Sequence, residues 1–388
     1  MKVLIITTAF PRWYGDGRGA FIYEAAQAIK RQGCEVRVIA MHVPGAKTHE
    51  WMDGIEVIRP RYLPERWEIL AKDSAGLPQA WRTNPWAKLA LIPFLVVHTI
   101  AVLRYAREAD ILHANWTLSG MVAWLTQWLH HKPYVVTVHG SDVFQGLEKP
   151  MVYLVSKICL EEAGAVISVS KALAQRLHEK KIFPVRIEII TNGINFEEIV
   201  QPINSYGKRN DVILFVGSIF WRKGVIYLLE AFADISVLLP NYRLILIGEG
   251  DQVHELKKKV IELKLENRVE FKGALPHQEV IGWMQRSKVL VLPSVEEGQG
   301  VVLLESMACG TPCIGSNVGG IPEIVNSDNG WLVPPGDVKA LKEALIDALL
   351  ISEEQWGRKS VKALETVRNF SWDKVAQKII SVYEDLIE

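Results

Sequence analysis

Two carboxylates, Glu297 and Glu305, stand eight residues apart across a glycine-rich turn, in the segment Pro293-Ser294-Val295-Glu296-Glu297-Gly298-Gln299-Gly300-Val301-Val302-Leu303-Leu304-Glu305. Free N–H groups at a helix start attract phosphate or sugar oxygens. A carboxylate accepts hydrogen bonds from paired hydroxyls of a sugar or ribose. One short element therefore has the chemistry to hold both halves of a phosphate-linked sugar. The competing reading is structural: Glu297 favours the helix N-terminus through the helix dipole, and Glu305 is a solvated helix residue.

Groups of this kind need a strand end and a helix start to position them. Lys288-Val289-Leu290-Val291-Leu292 reads as a buried parallel strand, so Gly298 and Gly300 fall where backbone must approach a ligand closely. A helix from about Val301 to Ala308 follows, stopped by Gly310 and Pro312. The same alternation of apolar runs and helical periodicity recurs along the chain and calls for α/β architecture, with parallel sheets covered by helices on both faces. In the first half, strands are expected at Lys2-Thr7, Glu35-Ala40, Ile55-Pro60, Ile111-Ala114, Tyr134-Val138, Ala165-Val169 and Glu188-Ile190. In the second half they are expected at Val212-Val216, Arg243-Ile247, Val269-Lys272, Val289-Pro293, Pro312-Gly315 and Gly330-Val333. A helix over Ala20-Gln32 is read with Phe21, Ala25, Ala28 and Ile29 on one face, and Asn192-Gly193 reads as a turn. The polar, turn-rich stretch from Val200 to Asp211 reads as a hinge. The expected division is residues 1–200, residues 201–370 and a tail helix over residues 371–388, whose apolar stripe is Trp372, Val375, Ile379, Val382 and Leu386.

A chain of 388 residues is too long for one ordinary core and fits two domains. Hydrophobic residues make up 49% and charged residues 23%, as in a soluble globular protein. Basic and acidic residues balance at 44 each, so no overall field favours nucleic acid. The chain opens directly on a strand, which does not read as a signal peptide. Cys34, Cys159, Cys309 and Cys313 lack the partners of a zinc site and read as inert buried thiols of a reducing cytoplasm. One segment stands apart. Ala87 to Leu103 is almost wholly apolar, interrupted by Pro93 and His98 and preceded by Trp81, Arg82, Trp86 and Lys88. At 17 residues it is at the short limit for a membrane span, so a packed helix and peripheral membrane contact are the readings carried forward. Eight of the 13 tryptophans lie before residue 130, which fits either an amphiphilic acceptor or a thick core.

Ligands of doubly wound sheets sit beyond the carboxyl ends of the strands, where the candidate residues fall. After the first strand, Gly17 and Gly19 leave room for a diphosphate or an acceptor, or belong to a plain flexible loop. That loop is not the Gly-x-Gly-x-x-Gly dinucleotide fingerprint, so hydride transfer loses support. His139 follows a strand in His139-Gly140-Ser141-Asp142, where a structural histidine is the alternative, and Asp142 is either a helix cap or a site residue.

The run Glu297-Gly298-Gln299-Gly300-Val301-Val302-Leu303-Leu304-Glu305-Ser306-Met307-Ala308-Cys309-Gly310-Thr311-Pro312 resembles the Glu-x7-Glu signature of retaining glycosyltransferases of family 4. The resemblance extends in order through the loop from Thr8 to Phe21, VVTVHGSD, VISVSKAL, IITNGIN, VILFVGSIFWRKG, LILIGEGD, VEFKGALPHQEV and VGGIPEIV. It implies the GT-B fold: two Rossmann-like doubly wound domains facing across a cleft, with a C-terminal helix returning to the N-terminal domain.

It implies that His139, by its imidazole or its backbone carbonyl, meets the donor sugar near the bond that breaks. In the family, a basic residue after the first glycine and a lysine before the last glycine of the Gly217 to Gly224 stretch neutralise the diphosphate. Lys223 matches this pattern and Ser218 does not, leaving Arg222 or helix amides to compensate. Glu297 is implied to hold sugar hydroxyls, Glu305 the ribose, and the turn with Gly248 and Gly250 the nucleotide base. Gln299 stands where the family more often has an apolar or aromatic residue.

The implied reaction is transfer with retention from a nucleoside diphosphate sugar, UDP or GDP, to a hydroxyl acceptor such as a lipid-linked saccharide, a polysaccharide or a small metabolite. Such an enzyme is expected to be cytoplasmic or peripheral at the inner face of the membrane. No cofactor is expected. No metal is expected either, because none of the aspartates lie two apart as in the Asp-x-Asp metal motif of the other large glycosyltransferase fold. The alternatives are an epimerase or phosphorylase on the same scaffold, or a silent nucleotide-sugar binding subunit. A glycosidase would need two carboxyl groups flanking the scissile bond, for which no independent reason appears.

Overall fold

The computed structural model describes residues 1–70, 86–199 and 209–388, in two units: Met1–Gly193 with Trp372–Glu388, and Ile194–Ser371. The first unit's strands are β1 (Lys2–Thr7), β2 (Glu35–Ala40), β3 (His49–Met52), β4 (Ile55–Ile58), β5 (Ile111–Asn115), β6 (Tyr134–Val138), β7 (Ala165–Ser168) and β8 (Ile187–Ile189). They form one sheet in the order β3-β4-β2-β1-β5-β6-β7-β8. All pairings are parallel except β3 with β4.

The edge strand β3 was not among the expected strands. Its turn is Asp53-Gly54, with φ of 48° and 71°, the two positive values that a tight hairpin with right-handed twist requires.

Helices cover both faces of this sheet. On one face pack helix Ala20–Arg31 and the tail helix Trp372–Ile387. The buried residues of the former are Ile22, Ala26, Ala28 and Ile29, whereas Phe21 and Ala25 are only partly covered, so the stripe lies one position away from the expected face. Trp372, Val375, Ile379 and Val382 of the tail helix enter the same core, and Leu386 packs at its margin. Polar bonds fix the helix in place. Trp372 donates to Glu24 at 2.6 Å, Arg31 pairs with Asp373 at 2.8 Å, and Tyr383 meets the buried His113 of β5 at 2.5 Å. Gly193 is not a turn residue: a Cβ there would lie 2.7 Å from the Trp372 ring, so glycine permits the close passage. On the other face lies the apolar segment, a helix over Ala87–Ala106 that buries Ala90, Phe94, His98, Ala101 and Val102. Its expected neighbours Trp81 and Arg82 lie outside the described residues.

The second unit's strands are β9 (Val212–Val216), β10 (Arg243–Ile247), β11 (Val269–Gly273), β12 (Val289–Leu292), β13 (Cys313–Ser316) and β14 (Gly330–Val333). They run parallel in the order β11-β10-β9-β12-β13-β14, the doubly wound order whose direction of winding reverses between β9 and β12. The proposed hinge falls largely outside the described residues. Its last part is firmly structural. Arg209 is buried and donates to the carbonyls of Met284, Ser287 and Cys309 and, at 2.5 Å, to Thr311 Oγ1, while its guanidinium lies over the Trp356 ring. Burial pulls its pKa down to about 10. The four cysteines are free and buried.

Two predictions follow from these buried groups. Arg209→Ala leaves several buried acceptors unpaired, at on the order of 3 kcal/mol. Calorimetry should show a transition lowered by roughly 6 °C or more, and an unchanged transition would contradict the assignment. His98 and His113 are buried, and burial pushes them down to about 3 and about 4. Both values lie below the ordinary unfolded value of about 6.5. The unfolded chain therefore takes up protons first as pH falls, and stability present above about pH 6.5 is lost toward pH 4, by up to about 1.4 kcal/mol per pH unit for each group. The thermal midpoint should drop between pH 7 and pH 5, less steeply in His98→Gln.

Candidate functional site

In the second unit, the loops after β9 and β12 leave the sheet at its switch point. Glycines let their backbones touch. A Cβ on Gly224 would stand 2.0 Å from the Pro293 carbonyl oxygen, and φ at Gly224 is 64°. The N–H groups of Val295 and Glu296 donate to the Arg222 carbonyl at 2.7 and 3.3 Å. This contact delivers Lys223 to Glu297: Nζ donates to Oε2 at 2.5 Å, with the two side chains only 17% and 11% exposed. Ser294 Oγ donates to the same carboxylate oxygen at 3.0 Å. Two residues 74 positions apart thus form one ion pair where strand order reverses.

Two further loops close on this centre. Gly248 and Gly250, after β10, are held by Gly248 N–H to Gly273 at 2.8 Å and by Ile219 N–H to Glu249 at 2.8 Å. A Cβ would lie 1.9 Å from the Gly217 oxygen at the first and 2.1 Å from the Ile219 oxygen at the second. Both glycines therefore serve loop-on-loop packing. Gly319 likewise presses on the Glu297 backbone, where a Cβ would be 1.7 Å from its carbonyl oxygen. Ser218 is exposed on the rim, and the Arg222 guanidinium lies 5.6 Å from the centre of the Phe220 ring.

Gly298 leads into Gly300, which has φ of 90° and stands at the N-cap of helix Val301–Ala308, where it has no side chain to cap the first turn. Glu305, one turn further on, lies 3.9 Å from His277. The structure thus brings Lys223 and Glu297 into contact and sets Glu305 beside a different partner. Ser294, Glu296 and His277 belong to this neighbourhood; they lie within or beside the matching stretches and are not among the expected site residues. Glu296 Oε2 is buried and has no hydrogen-bond partner among the described residues.

In the first unit, His139 follows β6. Its Nε2 lies 2.9 Å from the Asn115 side-chain oxygen, an acceptor, so Nε2 carries the proton and Nδ1 keeps its lone pair. Nδ1 is closed off from solvent and has no hydrogen-bond partner among the described residues. The ring is flanked by Phe21 at 5.1 Å and by Trp116 at 4.7 Å. Burial, reinforced by the neighbouring His113, pushes its pKa down to about 3, so it is neutral at ordinary pH. Asp142 does not cap the helix from its start. Its Oδ1 accepts from the N–H groups of His139 at 3.2 Å and Gly140 at 3.0 Å, holding the loop beneath the imidazole. Burial lifts Asp142 to about 6 against those bonds.

Of the two candidate glycines near β1, Gly19 has φ of 61° and lies so close to Ala9 that a Cβ would meet its carbonyl oxygen at 2.5 Å. Gly17 faces open space. The loop ahead of both glycines is clamped by Arg12 and Asp16, paired at 2.7 Å.

Comparison with known proteins agrees with this architecture. A family model for the glycosyl transferase 4-like domain matches residues 16–193, and one for glycosyl transferases group 1 matches residues 195–362. An uncharacterized glycosyltransferase of Methanocaldococcus jannaschii is 31% identical over 281 residues, 71% of this chain and 76% of the relative. Sucrose-phosphate synthase from Thermosynechococcus elongatus shares the fold with a TM-score of 0.82 and 22% identity over 100% of this chain and 99% of that one. Anabaena HepE, solved in complex with UDP-glucose, does so with a TM-score of 0.77 and 20% identity over 100% of both chains. With two Rossmann-like units, a reversal of strand order at Lys223 and Glu297, and these relatives, the chain belongs to the group 1 glycosyl transferases, family 4-type enzymes of GT-B fold.

Proposed function

We propose that the enzyme transfers a sugar, with retention of anomeric configuration, from a UDP- or GDP-sugar bound by the second unit to a hydroxyl of a saccharide, a lipid-linked saccharide or a small metabolite. The observation that carries this reading is the Lys223–Glu297 pair at the switch point, beside a helix start whose N-cap is Gly300. The UDP-glucose held by HepE supports a UDP-sugar as the first donor to test.

When a diphosphate enters, the Lys223 ammonium exchanges one carboxylate oxygen for phosphate oxygens, and Glu297, still bonded to Ser294, turns to sugar hydroxyls. Arg222 and the amides around Gly298, Gly300 and Val301 add positive potential where charge collects on the leaving phosphate, the largest electrostatic contribution to the rate. Glu305 takes the ribose, Gly248 and Gly250 shape the wall for the base, and Ser218 lines the rim without adding charge. The leaving phosphate accepts the acceptor's proton on the same face, so no separate carboxylate base takes part. In the first unit, neutral His139 presents its backbone carbonyl to a hydroxyl, its Nδ1 being closed off from solvent, and the loop at Gly17, with Gly19 packed behind it, gives the acceptor access. No step in this scheme draws on a metal.

Three measurements test the scheme. Lys223→Ala should lower turnover by more than about 100-fold, the scale of a lost oxyanion donor, whereas Glu305→Ala should mainly weaken nucleoside diphosphate binding in calorimetry. Unchanged values in both would refute these roles. Donor incubated alone should be hydrolysed only slowly and not epimerised. Activity should persist after EDTA treatment, and complete loss restored by manganese would overturn the metal-free scheme.

A further inference from the structure

The side of the first unit's sheet away from the tail helix is covered by a layer of three helices: Ala87–Ala106, Trp116–His130 and Pro150–Glu161. The middle helix packs against each of the others, and all three contribute to one core. The outward side of this layer is apolar. Leu89, Ile92, Val96 and Ile100 follow helical spacing and are 53 to 62% exposed, a stripe about 16 Å long. Leu125, Trp128 and Leu129 of the second helix and Met151 and Leu154 of the third are also exposed. This many large apolar side chains on one face marks a contact surface.

Charge selects the occupant. Residues 86–107, 116–132 and 149–161 contain Lys88, Arg104, Arg107, Lys132, Lys149 and Lys157 against a single acid, Glu161, which pairs with Lys157 at 2.5 Å. Of the acids flanking these stretches, Glu108 is engaged by Arg37 and Glu148 by Arg176 and Lys180. We propose that this layer docks on an anionic lipid surface, lying in the headgroup region with its apolar stripe inserted and its basic ends against lipid phosphates.

Exposed Trp86 and Trp128 suit that interfacial depth. The first helix is long and apolar enough to span a membrane. Its inner side, however, holds Ala90, Phe94, His98 and Val102 in the core, so it lies on the bilayer without crossing it. A second copy is a poorer occupant, because a two-fold interface would set the same basic groups against themselves. The proposal does not depend on the donor site and is tested without substrate.

The full chain is sedimented with vesicles of phosphatidylcholine alone, or with roughly one third phosphatidylglycerol. Binding is expected on the anionic vesicles, weakened by about fivefold for each of Lys88→Gln and Arg104→Gln, the effect of one basic charge at a membrane surface. The Ile92→Glu, Ile100→Glu double variant should lose binding by more than about tenfold, while Val361→Glu, on an exposed position of the second unit, should bind as wild type. Thermal midpoints equal to wild type confirm that each variant folds. Absence of binding to either vesicle, or undiminished binding by the double variant, overturns the proposal. So does self-association in light scattering that Ile92→Glu abolishes, which would assign the face to a second copy.

Discussion

Everything at the donor end depends on backbones of different loops coming closer than any side chain would allow. Gly224 against Pro293, Gly248 against Gly217 and Gly319 against Glu297 each leave no space for a Cβ. These contacts are steric and therefore rigid, so they fix where Lys223 and Glu297 begin. The 2.5 Å ion pair is their consequence. A lysine on a free loop would lose most of its grip to side-chain entropy and water. Here the ammonium is held in place before a ligand arrives, which is what electrostatic preorganisation requires.

The ion pair also keeps two charges in register in a place where neither is well solvated. Removing one partner would leave the other charge poorly compensated, and a diphosphate restores compensation for lysine only if the carboxylate finds donors of its own. Ser294 supplies one such donor in the ligand-free protein. Sugar hydroxyls are the natural second set, so a diphosphate and a sugar together satisfy the site better than either alone. In the proposed scheme, the pairing thus links recognition of the two halves of the donor.

Much of this was legible in the sequence because the relevant elements are buried on both faces. Val289-Leu290-Val291-Leu292 has no alternative to a central parallel strand, and Gly300 before Val301 marks a helix start as plainly as any side chain. What escaped reading lies at edges and in long-range bonds. Strand β3, His49-Glu50-Trp51-Met52, is an exposed edge with no apolar alternation, and only its Asp-Gly turn announces it. Arg209 sits in a polar stretch, yet its guanidinium is claimed by acceptors 75 to 102 residues away, which no local pattern encodes. The contact of Lys223 with Glu297 is likewise invisible in composition, since each residue taken alone reads as an ordinary surface charge.

The first unit shows the same logic applied to a neutral group. A histidine that gained a proton near neutrality would bury a positive charge beside a second imidazole, that of His113. Burial between Phe21 and Trp116, with Nε2 committed to Asn115, removes that option and leaves only a lone pair. Asp142 completes the arrangement by holding the backbone of the loop, not the ring. Burial raises its pKa to about 6 against the backbone N–H groups that it accepts from. The loop thus buries a carboxylate whose bonds to the His139 and Gly140 N–H groups hold the backbone beneath an uncharged imidazole.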